Sequence, residues 1–248
     1  MTELVTNSSP LSSLPQDQLS MLLAASEREW KLRQSRNRLK DYKPYSKQRE
    51  FHAAGKLYDE RLFMAGNQLG KTVAGGFEWA IHLTGRYPDW WDGRVFDKPV
   101  KFWASGVTGL STRDNPQRIL IGPPMQKEAW GTGSVPFDCI KDTITGRGVP
   151  NGLDSAIIRW GGGGDVQAQE SVLSFKAYEQ GREKWQGETL DGVWCDEEPP
   201  LELYSEGKTR VQANNGIVIV TFTPLLGMSD VVNLFLTDAD IKQLQTSG

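Results

Sequence analysis

Residues 61–73, RLFMAGNQLGKTV, decide the fold, because they read in succession as a buried strand, a glycine-containing turn and the start of a helix. The short apolar segment Arg61 to Ala65 suits a buried strand, and the residues from Lys71 to Leu83 are predicted to form a helix. The tripeptide GKT at 70–72 completes the pattern G-x-x-x-x-G-K-[ST], in which backbone N–H groups at a helix N-terminus surround phosphate oxygens. This order of elements predicts a nucleotide-binding loop.

Ala65 stands where that pattern has its first glycine. Alanine is acceptable there if the chain leaves the strand with a negative φ, and Gly66 can then supply the permissive turn. The Lys71 ammonium is predicted to neutralise β- and γ-phosphate oxygens, and the Thr72 hydroxyl is predicted to hold Mg²⁺. The predicted loop comprises Ala65, Gly66, Asn67, Gln68, Leu69, Gly70, Lys71 and Thr72.

A second candidate strand, Gly192 to Cys195, ends in three acidic residues. A nucleoside triphosphate site needs carboxylates on its metal side, at the end of another buried strand. Asp196 is predicted to hold a magnesium-bound water, and Glu197 is predicted to polarise the water that attacks the γ-phosphate. Glu198 remains an alternative base.

Further strands are predicted at residues 100–104, 156–160, 171–175 and 217–223, the last being almost entirely β-branched. The glycine run between the second and third of these favours an antiparallel hairpin. Residues 122–152 are too rich in glycine and proline to predict an element. Apolar strands separated by helical or irregular segments favour an α/β fold whose mainly parallel sheet is covered on both sides.

The N-terminal part is helical and basic by pattern. Residues 1–14 are predicted to be a mobile tail, and apolar spacing from Gln16 to about Leu39 predicts one helix. A basic run extends from Arg28 to Arg49, although the whole chain has 28 basic and 31 acidic residues and a net charge of −3. Any binding of DNA would therefore require a local basic patch and not the charge of the whole surface. The run is interpreted as a solvated helix face, with a phosphate or subunit contact as the alternative.

Composition excludes several classes of protein. The two cysteines, Cys139 and Cys195, lack the spacing of a disulfide framework or a zinc site, which favours a reducing, cytoplasmic setting. The longest apolar run is far shorter than the ~20 residues that a membrane helix needs. We therefore predict no membrane span.

About 125 residues separate Lys71 from Asp196, which is too many for a compact GTPase, and no guanine-selecting motif is present. Adenine is therefore the favoured base. Upstream, the segment YKPYSKQREF at 42–51 contains a glutamine after aromatic residues. The Gln48 amide could pair with the adenine edge through one donor and one acceptor, and the Tyr45 ring could stack on the base.

Together these motifs resemble the large terminase subunit of tailed bacteriophages, most closely that of short-tailed, headful-packaging phages. The matching segments lie between residues 42 and 232 and read YKPYSKQREF, FMAGNQLGKT, HLTGRYP, WQGETLDGVWCDEEPP and TFTPLLGMSDVV. The resemblance implies a RecA-like P-loop ATPase that hydrolyses ATP with Mg²⁺ and pumps double-stranded DNA into a procapsid. It implies as partners a portal protein, a small terminase subunit and further copies in a homo-oligomeric ring. The implied location is the host cytoplasm, with transient docking on the procapsid.

The resemblance also assigns roles to individual residues. It implies that Tyr45 and Gln48 contact the adenine and that the loop 65–72 binds the phosphates. It implies that Thr72 and Asp196 hold the metal and that Glu197 is the catalytic glutamate. Thr221 and Thr223 match a motif that couples hydrolysis to DNA movement, and ordinary strand chemistry is the alternative for both.

The arginine that stabilises the transferred phosphoryl group is not fixed by the match. Many terminases have this arginine inside the loop, where the present chain has Asn67, and another class has it at the position of Gln186. Arg182 is then the best candidate for an arginine supplied to a neighbouring subunit, with Arg118 and Arg159 behind it. The alternative for Arg182 is a solvated loop residue.

The resemblance divides the chain into an N-terminal tail and helix at 1–40 and a P-loop ATPase domain at 41–248. In the family an RNase H-like nuclease follows the ATPase, and we do not expect nuclease activity here because few acidic residues follow Pro224. Two other functions stay open: a helicase-like ATPase that remodels nucleic acid, and a nucleotide-gated assembly module with little turnover.

Overall fold

A computed structural model describes residues 14–35, 37–66, 68–161, 169–224 and 229–236. The tail predicted at residues 1–14 lies almost wholly outside these ranges, as does Asn67. The body is one seven-stranded sheet with the order β1-β7-β6-β2-β5-β4-β3. Its strands are β1 Glu60–Met64, β2 Lys101–Gly106, β3 Ile140–Thr145, β4 Leu153–Arg159, β5 Glu170–Ala177, β6 Gly192–Asp196 and β7 Ile217–Phe222.

The first five strands in this order are parallel, and β4 and β3 extend the sheet in antiparallel fashion. The predicted α/β fold with a mainly parallel sheet is thus confirmed, as is the antiparallel hairpin, which is β4 and β5. No element was predicted at β3, because this strand lies among glycine- and proline-rich turns.

Helices cover both faces of the sheet. They are α1 Gln16–Ser35, α2 Arg38–Asp41, α3 Ser46–Ala54, α4 Lys71–Thr84, α5 Gly109–Thr112, α6 Arg118–Leu120, α7 Leu201–Gln212 and α8 Asp230–Phe235, with a π-helical turn at Arg113–Gln117. Among the residues that the structure describes, no helix is both long and apolar enough to cross a membrane.

Alternate side chains of the central strands enter two separate apolar clusters. Phe102 and Trp194 pack with α4 on one face, whereas Trp103 and Val193 pack with α7 on the other. Because both faces are buried, these strands are apolar throughout, which is why the sequence shows continuous runs and not alternation.

The Gly75-Gly76 pair inside α4 is explained by close packing. A Cβ on Gly75 would lie 2.6 Å from Cε2 of Trp194, and a Cβ on Gly76 would lie 2.2 Å from Cγ2 of Ile119. The two glycines lower the intrinsic helix propensity, but they let α4 approach β6 closely. The pair therefore supports the helix in its tertiary setting.

The single helix predicted from Gln16 to about Leu39 is instead two helices. Asn37 is the N-cap residue of α2, and its Oδ1 accepts a hydrogen bond from the Lys40 N–H at 3.1 Å. Asparagine favours such an N-cap position over a helix interior. Leu39 is then buried in the same cluster as α4, so α2 packs on the body of the protein.

Candidate active site

The sheet topology brings three strand ends together. β1 ends at Met64, β7 at Phe222 and β6 at Asp196, and β7 lies between the other two with parallel pairing on both sides. The carboxyl ends of parallel strands meet at one edge, where α/β proteins bind ligands. The predicted phosphate loop therefore shares this edge with the acidic pair, Asp196 and Glu197, and with the threonines predicted to couple hydrolysis to movement, Thr221 and Thr223.

The helix that follows the loop presents an uncapped N-terminus. Gly70 precedes α4 in a left-handed conformation with φ 79°, and this N-cap residue makes no side-chain cap hydrogen bond to the first turn. Helix N–H groups without partners, together with the helix dipole, form a site for anions. This end of α4 thus has the chemistry that a phosphate group requires.

The backbone of the loop agrees with one part of the prediction and corrects another. Ala65 avoids positive φ as expected, and its N–H donates to the Phe222 carbonyl at 3.3 Å. Gly66, in contrast, does not supply the left-handed turn. Among the loop residues that the structure describes, the positive φ angles belong to Gln68, at 63°, and Gly70. That prediction was wrong because the turn occurs next to the helix and not next to the strand.

Gln48 lies directly against the loop. Its Nε2 donates to the Gly70 carbonyl at 2.8 Å, and its Oε1 accepts from the Tyr45 N–H at 2.9 Å. The positive φ of Gly70 favours glycine there, and a Cβ would lie 2.7 Å from Nε2 and so displace the Gln48 amide. The Gln48 amide keeps one N–H and one lone pair for a ligand, and the exposed Tyr45 side chain lies beside it.

A buried polar network holds the helix that carries Gln48. Glu78 of α4 contacts His52 Nδ1 of α3 at 2.7 Å and also pairs with Arg61 of β1. Burial alone would raise the pKa of Glu78, but the charge of Arg61 and the hydrogen bond from His52 hold it well below its usual value. The network therefore fixes α3 relative to the phosphate loop.

Lys71 and Thr72 both reach the strand ends opposite them. The Lys71 ammonium donates to Oγ1 of Thr223 at 2.5 Å, and the Thr72 hydroxyl donates to Oδ1 of Asp196 at 2.9 Å. The same Asp196 oxygen accepts from Oγ1 of Thr221 at 2.9 Å. Residues from three distant parts of the chain are thus joined in one cluster.

Asp196 is 2% exposed, and its burial raises the pKa of the carboxyl from 3.8 to about 6. The hydroxyls of Thr221 and Thr72 oppose this shift. A Thr hydroxyl and an Asp carboxylate are hard oxygen ligands of the kind Mg²⁺ prefers. No cluster of three or more His, Cys, Asp or Glu side chains suited to a metal occurs among the described residues. In proteins Mg²⁺ usually keeps several waters and is bound through one or two carboxylates and the phosphates of the substrate, which fits a site with one Asp and one Thr ligand.

Glu197 has a left-handed backbone with φ 70°. Its N–H donates to the Thr221 carbonyl at 2.8 Å, and its carbonyl accepts from the Tyr178 hydroxyl at 2.6 Å. Its carboxylate lies 3.5 Å from the Thr223 N–H. Glu198 is bonded instead to the Ser229 hydroxyl at the start of α8, so Glu197 is the acid that faces the cluster.

The candidate arginines are not joined to this cluster. Arg182 donates to Oε2 of Glu206 on α7 at 2.9 Å, and Arg159 donates to two backbone carbonyls near β3. Arg118 is exposed on α6. Within the described ranges, no hydrogen bond or ion pair connects any of the three to Lys71 or to the acidic pair.

Two residues of the site were missed from the sequence. Trp194 donates from Nε1 to Oγ1 of Thr221 at 2.8 Å and so fixes the hydroxyl that holds Asp196. Its place two residues before Asp196 on an apolar strand was the available signal. Tyr178 contacts Glu197 only through tertiary structure, and no local pattern indicated it.

Terminase large subunits are among the known proteins that resemble this chain. Residues 62–246 match the model for the N-terminal region of the T4likevirus-type terminase large subunit. The terminase large subunit of Salmonella phage P22 is 42% identical over 245 residues, which cover 94% of this chain and 49% of that protein. That of Enterobacteria phage LP7 is 26% identical over 251 residues, which cover 94% and 50% respectively. The chain thus spans about half the length of these relatives.

Solved structures of the large terminase from a thermophilic bacteriophage also match. One has a TM-score of 0.47 and 14% identity, and another, in complex with ADP, has 0.43 and 15%; both alignments cover 82% of this chain and 50% of that chain. Since the family model matches most of the sequence, the chain belongs to the family of terminase large subunits.

Proposed function

We propose that this chain binds ATP and hydrolyses it with Mg²⁺, and that in the whole protein this reaction moves double-stranded DNA into a procapsid. The observation that supports the proposal is the convergence of Lys71 and Thr72 with Asp196 and Glu197 at one edge of the sheet. Family membership supports the packaging role.

In the proposed reaction the α4 N-terminus and Lys71 bind the phosphates, and Gln48 and Tyr45 receive the adenine. Thr72 and Asp196 hold the metal. Bound Mg²⁺ would supply neutralisation of the phosphate charge. Glu197 accepts a proton from the attacking water, because it is the half-buried carboxylate nearest the end of β7.

Thr221 and Thr223 are proposed to pass the state of the nucleotide to the rest of the protein, since they contact Asp196 and Lys71 respectively. Arg182 is proposed to act on a neighbouring subunit's nucleotide. Its side chain is largely exposed although it pairs with Glu206 of the same chain, and in this role it would exchange that partner for the neighbour's phosphate.

The proposed partners of the whole protein are double-stranded DNA, a portal protein, a small terminase subunit and copies of itself. Residues 41–248 are proposed as the ATPase unit, with the tail and helix at 1–40 preceding it. DNA pumping can be tested with the whole protein, purified procapsids and ATP, by measuring DNA that becomes protected from nuclease.

Hydrolysis is tested by release of phosphate from ATP with and without Mg²⁺. Glu197→Gln should lower kcat by about 10²–10⁴-fold and leave nucleotide binding intact. The matched control is Glu198→Gln, which alters the adjacent carboxylate and should retain activity. Equal activity of Glu197→Gln and wild type would refute the assignment of the base.

The role of Arg182 is tested by mixing two variants that are each expected to be inactive alone. Glu197→Gln lacks the base but keeps the arginine, and Arg182→Ala lacks the arginine but keeps the base. If the arginine acts on a neighbour, mixed assemblies contain complete sites and regain hydrolysis. Full activity of Arg182→Ala alone, or no recovery of hydrolysis when it is mixed with Glu197→Gln, would exclude this residue and favour Arg118 or Arg159.

A further inference from the structure

The carbonyl of Glu197 accepts a short hydrogen bond from a buried tyrosine. The Tyr178 hydroxyl lies 2.6 Å from this carbonyl and 3.3 Å from that of Asp196. A tyrosine hydroxyl has one proton to donate, and the shorter distance directs it to Glu197. Tyr178 is buried, so water does not replace this donor readily.

Glu197 needs such a donor because its backbone is strained. A non-glycine residue in the left-handed region costs of order 1 kcal/mol or more and persists only where its surroundings enforce it. Here the N–H of Glu197 is bonded to the Thr221 carbonyl at 2.8 Å, and the Tyr178 hydroxyl holds the other side of the residue. The two bonds together fix the direction in which the carboxylate leaves the chain.

Tyr178 also links this acid to the segment that carries Arg182. It directly follows β5, and its ring lies 5.9 Å from that of Trp185, whose indole is fully buried. Trp185 and Arg182 belong to the same 3₁₀ turn. A shift of this turn would therefore reach the backbone of Glu197 through Tyr178.

We propose that Tyr178 is a positioning residue, whose hydroxyl holds the left-handed backbone of Glu197 and thereby aims its carboxylate at the attacking water. The proposal rests on the proposed hydrolysis of ATP. Tyr178 touches neither nucleotide nor water in this role, and it acts only through Glu197.

The kinetic test compares two tyrosines that lie in the same apolar cluster. Tyr178→Phe should lower kcat about 10-fold, the value of one well-formed hydrogen bond, with KM for ATP changed less than about 2-fold. Tyr204→Phe removes a buried hydroxyl that donates to Glu60 and should leave kcat unchanged. Tyr178→Phe should have no further effect in a Glu197→Gln background, because both changes act through one carboxylate.

A second measurement does not depend on turnover. Amide hydrogen exchange of the peptide that contains Glu197 should be several-fold faster in Tyr178→Phe, by about 5-fold or more, and unchanged in Tyr204→Phe. Unaltered exchange, or wild-type kcat in Tyr178→Phe, would overturn the positioning role. If wild type releases no phosphate, the proposed hydrolysis fails, and the exchange measurement alone then decides whether Tyr178 holds Glu197.

Discussion

Replacing Gly75 by alanine should disturb the site through its core. The new Cβ would lie 2.6 Å from Cε2 and 2.8 Å from Nε1 of Trp194, about 1 Å closer than the usual contact of ~3.5–4.0 Å between carbon atoms. Overpacking of this kind costs about 1–3 kcal/mol. Alanine recovers up to about 1 kcal/mol of helix propensity, so we expect a net loss of about 1–2 kcal/mol of unfolding free energy.

The matched control is Gly207→Ala. Gly207 also lies inside a helix against the sheet, but its Cβ would be 3.4 Å from Cγ1 of Val193, which is an ordinary contact. This substitution should be neutral or stabilising by up to about 1 kcal/mol. Urea unfolding followed by circular dichroism gives the free energy of both variants, with the midpoint and slope fitted separately.

The Gly75→Ala substitution should also lower activity. Nε1 of Trp194 donates to Thr221, which in turn donates to Asp196, so a displaced indole disturbs the metal-side carboxylate. We expect reduced ATP hydrolysis in Gly75→Ala even where the protein is fully folded. The packing argument would be refuted if Gly75→Ala were as stable as Gly207→Ala and fully active.

Burial of charged and titratable side chains leads to three more predictions. Glu78→Gln should cost about 3–5 kcal/mol in urea unfolding, because the buried Arg61 loses its charged partner. Burial raises the pKa of Asp196 from 3.8 to about 6, so the folded state holds the proton more tightly. The raised pKa therefore adds about 3 kcal/mol to the free energy of unfolding below pH 4, and this contribution is lost as the pH rises through 6. In Asp196→Asn the free energy of unfolding should not show this loss. Burial raises the pKa of Cys139 and of Cys195 to about 12, so alkylation by iodoacetamide at pH 8 should be about 10³-fold slower in the folded chain than in urea.

The parts of the fold that could be predicted are those set by local periodicity. β1, the loop and α4 follow one another within 25 residues, and their pattern carries the strand, the turn and the helix start. β7 was evident because a β-branched run leaves little alternative. Thr72 and Asp196 were both predicted to serve one magnesium ion, and the structure places their oxygens 2.9 Å apart.

The remaining features depend on contacts that are distant in sequence. Among the described residues of the loop, Gln68 and Gly70 are left-handed and Gly66 is not, because the geometry needed at the helix start overrides residue preference. Tyr178 is 19 residues from Glu197 and lies in a segment without periodicity. The break before α2 was not predicted, because apolar spacing continues through it and the only local sign of it is one asparagine at the N-cap.

The hydrogen bond between Lys71 and Thr223 has a consequence for the order of events in the proposed packaging cycle. A phosphate oxygen is a stronger acceptor than a neutral hydroxyl, so a bound phosphate would draw the Lys71 ammonium away from Thr223 and from the end of β7 before any covalent bond breaks. β7, which lies between the loop and the acidic pair, would then change its contacts once when the nucleotide binds and again when the γ-phosphate is cleaved. A slowly hydrolysed ATP analogue should consequently produce the first signal without the second.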